Sequence, residues 1–144
     1  MTKPDESGGA APQDSERYRI GSATRRAVLG DAHVDRAIAQ ATAFDADFQA
    51  LITESAWGSV WSRPGLTKRE RSLITVALLA ALGHQEEFAL HVGATRNTGA
   101  SAQDVLEALL HVAIYAGVPA ANHAVKIAKT VLGEVKGDTP STTA

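Results

Sequence analysis

Hydrophobic residues recur at helical spacing along most of the chain, and no stretch sustains the alternation of apolar and polar residues that marks a strand. The two ends differ, since they are rich in Pro, Gly, Ser, Thr, Asp and Ala. We therefore predict an all-α domain over residues 17–136, a disordered leader over residues 1–16 and a disordered tail over residues 137–144.

Helix boundaries are marked most clearly in the second half of the chain. Thr67 with Glu70, and Ser101 with Asp104, match the capping box, in which a hydroxyl and a carboxylate satisfy the first backbone N–H groups of a helix. Gly83 is placed to end the first of these two helices in a left-handed conformation. The predicted helices span residues 25–29, 34–41, 45–56, 67–82, 86–97, 101–116 and 119–135.

Two of these helices carry apolar residues nearly all the way round, over residues 73–82 and 105–116. Such a helix needs cover on several sides. In a domain of this size we expect a subunit interface to supply the cover, although a central helix in a monomer would also be covered.

Composition and charge remove several classes of function. The chain has 144 residues and a formal net charge of -2, with no basic stripe that would suggest nucleic acid. It contains no Cys, so disulfides, thiolate metal sites and thiol redox chemistry are excluded. The longest apolar run is too short to span a bilayer, and the first residues lack the apolar core of a secretory signal. We expect a cytoplasmic protein without nucleic-acid or membrane partners.

One helix face carries the clearest candidates for chemistry. Glu87 and His91 are four residues apart, so on a helix they share a face, where a carboxylate can orient an imidazole and raise its basicity. His84 lies a further turn back. Two other interpretations stay open, a solvent-exposed ion pair and a metal site with all three residues as ligands, which would suit zinc only if another element closed it.

Arginines and tryptophans supply candidates for substrate binding. Arg63, Arg71 and Arg96 could each bind a carboxylate through the planar guanidinium, although a solvated surface charge is the favoured interpretation for any one of them taken singly. Trp57 and Trp61 could form the apolar walls of a pocket or belong to the core. Five further polar residues are left unassigned: His33, His84, His111, Tyr115 and His123.

Five stretches of sequence, which together cover most of the domain, carry a family likeness. They are RRAVLGDAHVDRA (25–37), ITESAWGSVWSRPGLTKRERSL (52–73), ALLAALG (77–83), EEFALHVGATRNTG (86–99) and EALLHVAIYAGVPAANHA (107–124). In this order they resemble the carboxymuconolactone decarboxylase family of the alkyl hydroperoxidase D superfamily. The opening stretch and the segment WSRPGL are not shared by the broader superfamily, so the likeness is specific.

The resemblance implies an all-helical fold of the alkyl hydroperoxidase D type, a homohexamer and a decarboxylation without a cofactor. The implied substrate is γ-carboxymuconolactone, a small dicarboxylic lactone formed in protocatechuate breakdown through the β-ketoadipate pathway. The products would be CO2 and the enol-lactone of β-ketoadipate. The peroxidase branch carries a CxxC pair where His84 and Glu87 stand here, and a glutamate where Ser72 stands. Only its histidine carries over, at His91.

Three tasks follow for the side chains if the resemblance holds. A donor must stabilise an oxyanion, an acid must protonate carbon, and cations must hold the carboxylates; the conjugated lactone carbonyl accepts the electrons, so no metal is needed. Two other functions stay open, a related lactone isomerase or hydrolase and a non-catalytic oligomeric helical module. The predicted assignment is catalytic for Glu87 and His91, substrate-binding for Arg63, Arg71, Arg96, Trp57 and Trp61, and no metal ligand.

Overall fold

The computed structural model describes residue 13 and residues 15–137, with side chains as far as residue 133. Within these residues the chain is helical and has no strand, so the all-α prediction is confirmed for the described part. Most of the predicted leader and nearly all of the predicted tail lie outside the described residues. The elements are α1 Glu16–Leu29, α2 Asp31–Gln40, α3 Ala46–Ile52, a π-helix Thr53–Trp61, α4 Lys68–Leu82, α5 Gln85–Thr98, α6 Ala102–Tyr115 and α7 Val118–Gly137.

The described chain divides into two compact units. The first unit comprises the residues up to Arg26 together with Ala32–Arg63, so it holds most of α1, with α2, α3 and the π-helix. The second unit comprises Ala27–Asp31 and the residues from Pro64 onward, so it holds α4 to α7.

The beginning of α1 differs from its prediction. The helix starts at Glu16 rather than at residue 25, because the face that it buries in the first unit is formed by Gly21, Thr24 and Arg25, which hydrophobic periodicity does not detect. A Cβ atom at Gly21 would overlap the backbone carbonyl of Thr53, so the backbones of α1 and the π-helix approach closely at this position.

The helix predicted over residues 45–56 is wrong in both extent and type. The α-helix ends at Ile52, and the chain continues as a π-helix to Trp61. Thr53, Trp57 and Trp61, spaced four apart, are all buried, and the two indole rings stack with their centroids 5.1 Å apart. The segment therefore extends beyond its predicted end, and its largest side chains are buried.

The second unit is an arrangement of four helices in which α4 packs on α5 and α6, and α7 packs on α5 and α6. Both predicted capping boxes are confirmed, since Thr67 and Ser101 accept from the backbone N–H groups of Glu70 and Asp104, whose carboxylates accept in return. Gly83 adopts the left-handed conformation, with φ 74°, and ends α4 as predicted.

Apolar residues of α4 and α6 lie on two sides of these helices. One side joins the core of the second unit, and the other is exposed in the described chain. The core includes Val76, Ala80, Phe88, Val92, Val105, Leu109 and Val112. The exposed stripes consist of Ile74, Leu78 and Leu82 on α4, and Leu106, Leu110 and Ile114 on α6.

Among the described residues, no helix combines the length and apolar character needed to cross a membrane.

Candidate functional site

The predicted acid–imidazole pair lies at the beginning of α5. Glu87 occupies the first turn, where a carboxylate interacts favourably with the helix dipole, and His91 follows one turn later on the same face. The Glu87 side chain is exposed, whereas His91 is half-buried and the Nδ1 atom of its imidazole is buried. The surface that His91 offers to a ligand therefore belongs to the other atoms of its side chain.

His84 does not extend this helical face. It is the N-cap residue of α5, with φ -83° and ψ 80°, it is exposed, and its side chain makes no capping hydrogen bond. In the part of the chain that the structure describes, no group of three or more His, Cys, Asp or Glu side chains is arranged to hold a metal ion. The geometry of this chain thus gives no support to the interpretation of His84, Glu87 and His91 as metal ligands.

Arg71 is half-buried in the second unit, and its Nε atom is buried. The next residue, Ser72, is fully buried, and its hydroxyl lies 2.7 Å from the hydroxyl of Thr98 on α5. The two helices are joined by a short connection and run antiparallel. Because His91 precedes Thr98 by seven residues, it lies about 10 Å along the axis of α5 from this contact. Arg71 and His91 therefore lie on two adjacent helices that this contact joins.

Arg96 and Arg63 are placed differently. Arg96 is exposed in the last turn of α5, where a basic side chain offsets the helix dipole. It follows His91 by five residues, which corresponds to about 140° around the helix axis, so it does not share the face of His91. Arg63 is exposed and follows the end of the π-helix in the first unit. Of the three predicted arginines, only Arg71 is half-buried.

Trp57 and Trp61 both belong to the first unit and are each only 7% exposed. Their rings stack on each other, with the centroids 5.1 Å apart. Little of their surface is therefore free to contact a substrate. Their role as apolar walls stays a prediction.

A cavity of about 340 Å³ opens in the second unit, between the end of α4 and the beginnings of α5 and α7. Its lining is mainly apolar and includes Phe88, with the polar groups of Gln85 and His123. Neither Glu87 nor His91 lines it. The volume is in the range of small-molecule pockets. The sequence left His123 unassigned, because the only signal for it was its position shortly after the turn that precedes α7.

The helical fold, with an imidazole and a carboxylate on one helix face, agrees with what the sequence likeness implied. The chain belongs to the carboxymuconolactone decarboxylase family, whose model matches residues 46–130. The family predicted from the sequence is thereby confirmed.

Three proteins of known activity are similar to this chain. It is 43% identical over 122 residues to a 4-carboxymuconolactone decarboxylase of Acinetobacter baylyi, and the aligned residues make up 85% of this chain and 91% of that protein. It is 37% identical over 115 residues to a nitrosuccinic acid decarboxylase of Metarhizium robertsii, with 80% of each chain covered. A stretch of 45 residues, 31% of this chain, is 49% identical to a 4-carboxymuconolactone decarboxylase of Pseudomonas putida, of which it covers 94%.

Proposed function

We propose that this protein decarboxylates γ-carboxymuconolactone, releasing CO2 and the enol-lactone of β-ketoadipate. The observation that carries the proposal is the 43% identity across 91% of a relative with this activity in its name. The reaction would be a cytoplasmic step of protocatechuate breakdown in the β-ketoadipate pathway.

The chemistry of this substrate defines what the protein must supply. The bond between the ring carbon and its carboxylate breaks, and the electron pair moves through the ring double bond to the lactone carbonyl. The resulting furan-like oxyanion is then protonated on carbon to give the enol-lactone. Because the conjugated carbonyl accepts the electrons, the protein has to bind and orient the lactone, stabilise the oxyanion and deliver one proton.

His91 and Glu87 are the residues that we assign to the oxyanion and the proton. With Nδ1 inside the protein, the rest of the His91 ring can meet a ligand. An imidazole can donate a hydrogen bond to a growing oxyanion and can also pass a proton to carbon. Glu87, one turn earlier, supplies the negative charge that favours the protonated imidazole.

Arg71 is our first candidate for holding the carboxylate that does not leave. It belongs to the same unit as His91 and is half-buried, so its guanidinium is less screened by solvent than an exposed one. Arg63 and Arg96 remain further candidates for carboxylate binding. Trp57 and Trp61 remain candidates for an apolar wall, where a drier environment favours loss of the charged carboxylate.

A second candidate activity is decarboxylation of nitrosuccinate, which the relative at 37% identity favours. Both substrates are dicarboxylic acids in which an electron-accepting group can take up the electron pair that is released at the carbon losing CO2. In nitrosuccinate the nitro group would accept the electron pair as a nitronate, which is then protonated on carbon. The same three tasks would therefore fall to the same side chains.

We also propose that the protein assembles as a homohexamer through the exposed stripes of α4 and α6. Isoleucine and leucine recur there every four residues, so each stripe runs along one helix face, and Ile114 is 78% exposed in the single chain. Contiguous apolar surface of this kind marks protein interfaces. A second copy of the chain is the partner that symmetric assembly would supply.

The test of the proposed activity is to mix the purified protein with γ-carboxymuconolactone and to measure both CO2 and the enol-lactone. Release of the two in equal amounts is expected. Consumption of the lactone without CO2 would instead indicate an isomerase or hydrolase, and no consumption would indicate a non-catalytic module. A parallel reaction with nitrosuccinate compares the two candidate substrates by kcat/KM.

A further inference from the structure

A second cavity, of about 170 Å³, lies entirely within the first unit. It is bounded by α1, α2, α3 and the first residue of the π-helix. Since one water molecule takes about 30 Å³ in the liquid, this space would admit a small organic molecule. Its polar lining includes Tyr18, Ser22, Arg25, Gln49 and Thr53.

Arg25 distinguishes this cavity from an ordinary packing gap. The residue is only 8% exposed, although its guanidinium stays charged and offers five N–H donors. Nη1 donates to the amide oxygen of Gln49 at 3.4 Å, and Nε finds no hydrogen-bond partner among the described residues. A buried charge that lacks a counter-charge is costly unless a ligand compensates it.

Among the described residues, the charged groups of the first unit do not provide that counter-charge. Asp35 is 2.8 Å from Arg26 and forms an ion pair with it. The pKa of His33 is lowered, first by burial and then by the positive charges of Arg25 and Arg36. In the described part of the chain, no carboxylate is paired with Arg25.

We propose that this cavity binds a small carboxylate anion, with Arg25 as its charged anchor. The planar fork of a guanidinium matches a carboxylate in shape and charge. Tyr18 and Ser22 can add hydroxyl donors, whereas Thr53 already donates to the Gln49 carbonyl at 2.7 Å. Val34 and Ile38 line the apolar side, which suits the short carbon chain of such an acid.

Two sources could supply this ligand. It is either a carboxylate of the lactone or its product in the proposed reaction, or a separate short-chain carboxylic acid that occupies the first unit independently. The chemistry of recognition is the same for both, and binding can be measured without turnover. Failure of the proposed decarboxylation would therefore leave the binding test intact.

The test uses the side-chain Nε–H signals of arginine in the 15N-labelled full-length protein. Succinate is the probe, and succinamide is its uncharged counterpart. We expect succinate, and not succinamide, to shift one signal that is missing from the Arg25→Lys variant. By calorimetry, Arg25→Lys and Arg25→Ala should bind succinate at least about tenfold more weakly, since charge-assisted hydrogen bonds to a carboxylate are lost or misplaced. Arg19→Ala removes an exposed arginine from the same helix and should keep the wild-type affinity.

Tyr18→Phe keeps the guanidinium and should weaken succinate binding by a few-fold, which provides a second variant if Arg25→Ala does not fold. If succinate competes with the lactone and Arg25→Lys raises KM, the ligand is the substrate's carboxylate. If succinate binds to enzyme saturated with the lactone, and the Arg25→Lys variant has an unchanged KM for the lactone, the ligand is a separate acid. An Arg25 signal that succinate leaves unmoved, or that succinamide shifts equally, would overturn the proposal.

Discussion

The hydroxyl groups of Ser72 on α4 and Thr98 on α5 lie 2.7 Å apart and share a hydrogen bond inside the second unit. Ser72 has no exposed surface, so this contact satisfies a polar group that would otherwise be costly to bury. It also joins α4, which carries Arg71, to α5, which carries His91. Ser72 therefore serves as a link between the two helices.

The half-buried position of Arg71, in the same unit as His91, leads to a prediction. Arg71→Ala should raise KM for the lactone by about tenfold and change kcat much less, because a group that holds the retained carboxylate acts equally on the ground and transition states. Arg96→Ala tests the competing candidate, and we expect it to change KM less, since Arg96 is exposed and turned about 140° away from His91. Steady-state kinetics on both variants make the comparison. A raised KM in Arg96→Ala with none in Arg71→Ala would reassign the carboxylate contact.

Assembly should depend on the apolar stripe of α6. Leu110→Glu places a charge where we propose that two copies meet, so the assembly should shift toward monomers or smaller oligomers. Light scattering coupled to gel filtration, at micromolar concentration, measures the mass. Glu107→Gln changes an exposed polar residue of the same helix and should leave the mass unchanged. A monomeric wild-type protein would contradict the proposed hexamer.

Metal removal should leave the activity intact. The lactone carries its own electron acceptor, and the residues His84, Glu87 and His91 do not form a metal-binding arrangement in this chain. Turnover after prolonged dialysis against a chelator is therefore expected to equal that of the untreated protein. Loss of activity that is restored by one equivalent of zinc would show that the metal interpretation is the right one.

The ion pair between α4 and α6 should give stability a specific dependence on pH. Arg69 donates two hydrogen bonds to Asp104, and this contact, with the backbone N–H of Ser101, lowers the pKa of the carboxyl to about 2. The folded-state pKa is depressed, so the contribution is present above the ordinary pKa near 3.8 and is lost as pH falls through about 2. Wild type should exceed Asp104→Asn in denaturant midpoint at pH 6, and the difference should disappear near pH 2. An equal difference at both pH values would mean that charge is not its cause.

Local signals predicted the second unit well. Capping boxes and a helix-ending glycine depend only on residues a few positions apart, so Thr67, Ser101 and Gly83 could be interpreted without knowledge of the packing. The helices of the first unit were harder to predict from the sequence, because α1 buries Gly21, Thr24 and Arg25, and these residues do not form a hydrophobic pattern. The π-helix has no local signature of the kind that capping provides, and its buried residues follow from packing.

In the candidate site, too, the residues that depend on local spacing were predicted, and those that depend on the surrounding structure were not. The spacing of Glu87 and His91 predicted a shared helix face, which a regular α-helix guarantees. His84 was misplaced because the helix begins one residue after it. Arg25 was missed altogether, since a buried arginine that has no carboxylate partner among the described residues can be recognised only once the surrounding cavity is known.

The catalytic role of His91 is the central claim, and Glu87 is its partner in it. A transition-state donor typically contributes about 100- to 1,000-fold to kcat, or roughly 3–4 kcal/mol. Glu87→Gln should retain the shape but lose the charge that supports a protonated imidazole. Since members of one catalytic unit are not additive, the double variant should be little worse than the poorer single variant.

The most direct measurement is kcat of His91→Ala for release of CO2 from γ-carboxymuconolactone, with circular dichroism and light scattering to confirm that the variant keeps its fold and its assembly. We predict that kcat falls by at least about 100-fold while KM changes little. A folded, fully assembled His91→Ala protein that retains kcat within about threefold of wild type would contradict this account and reduce Glu87 and His91 to a structural pair on the surface of a helix.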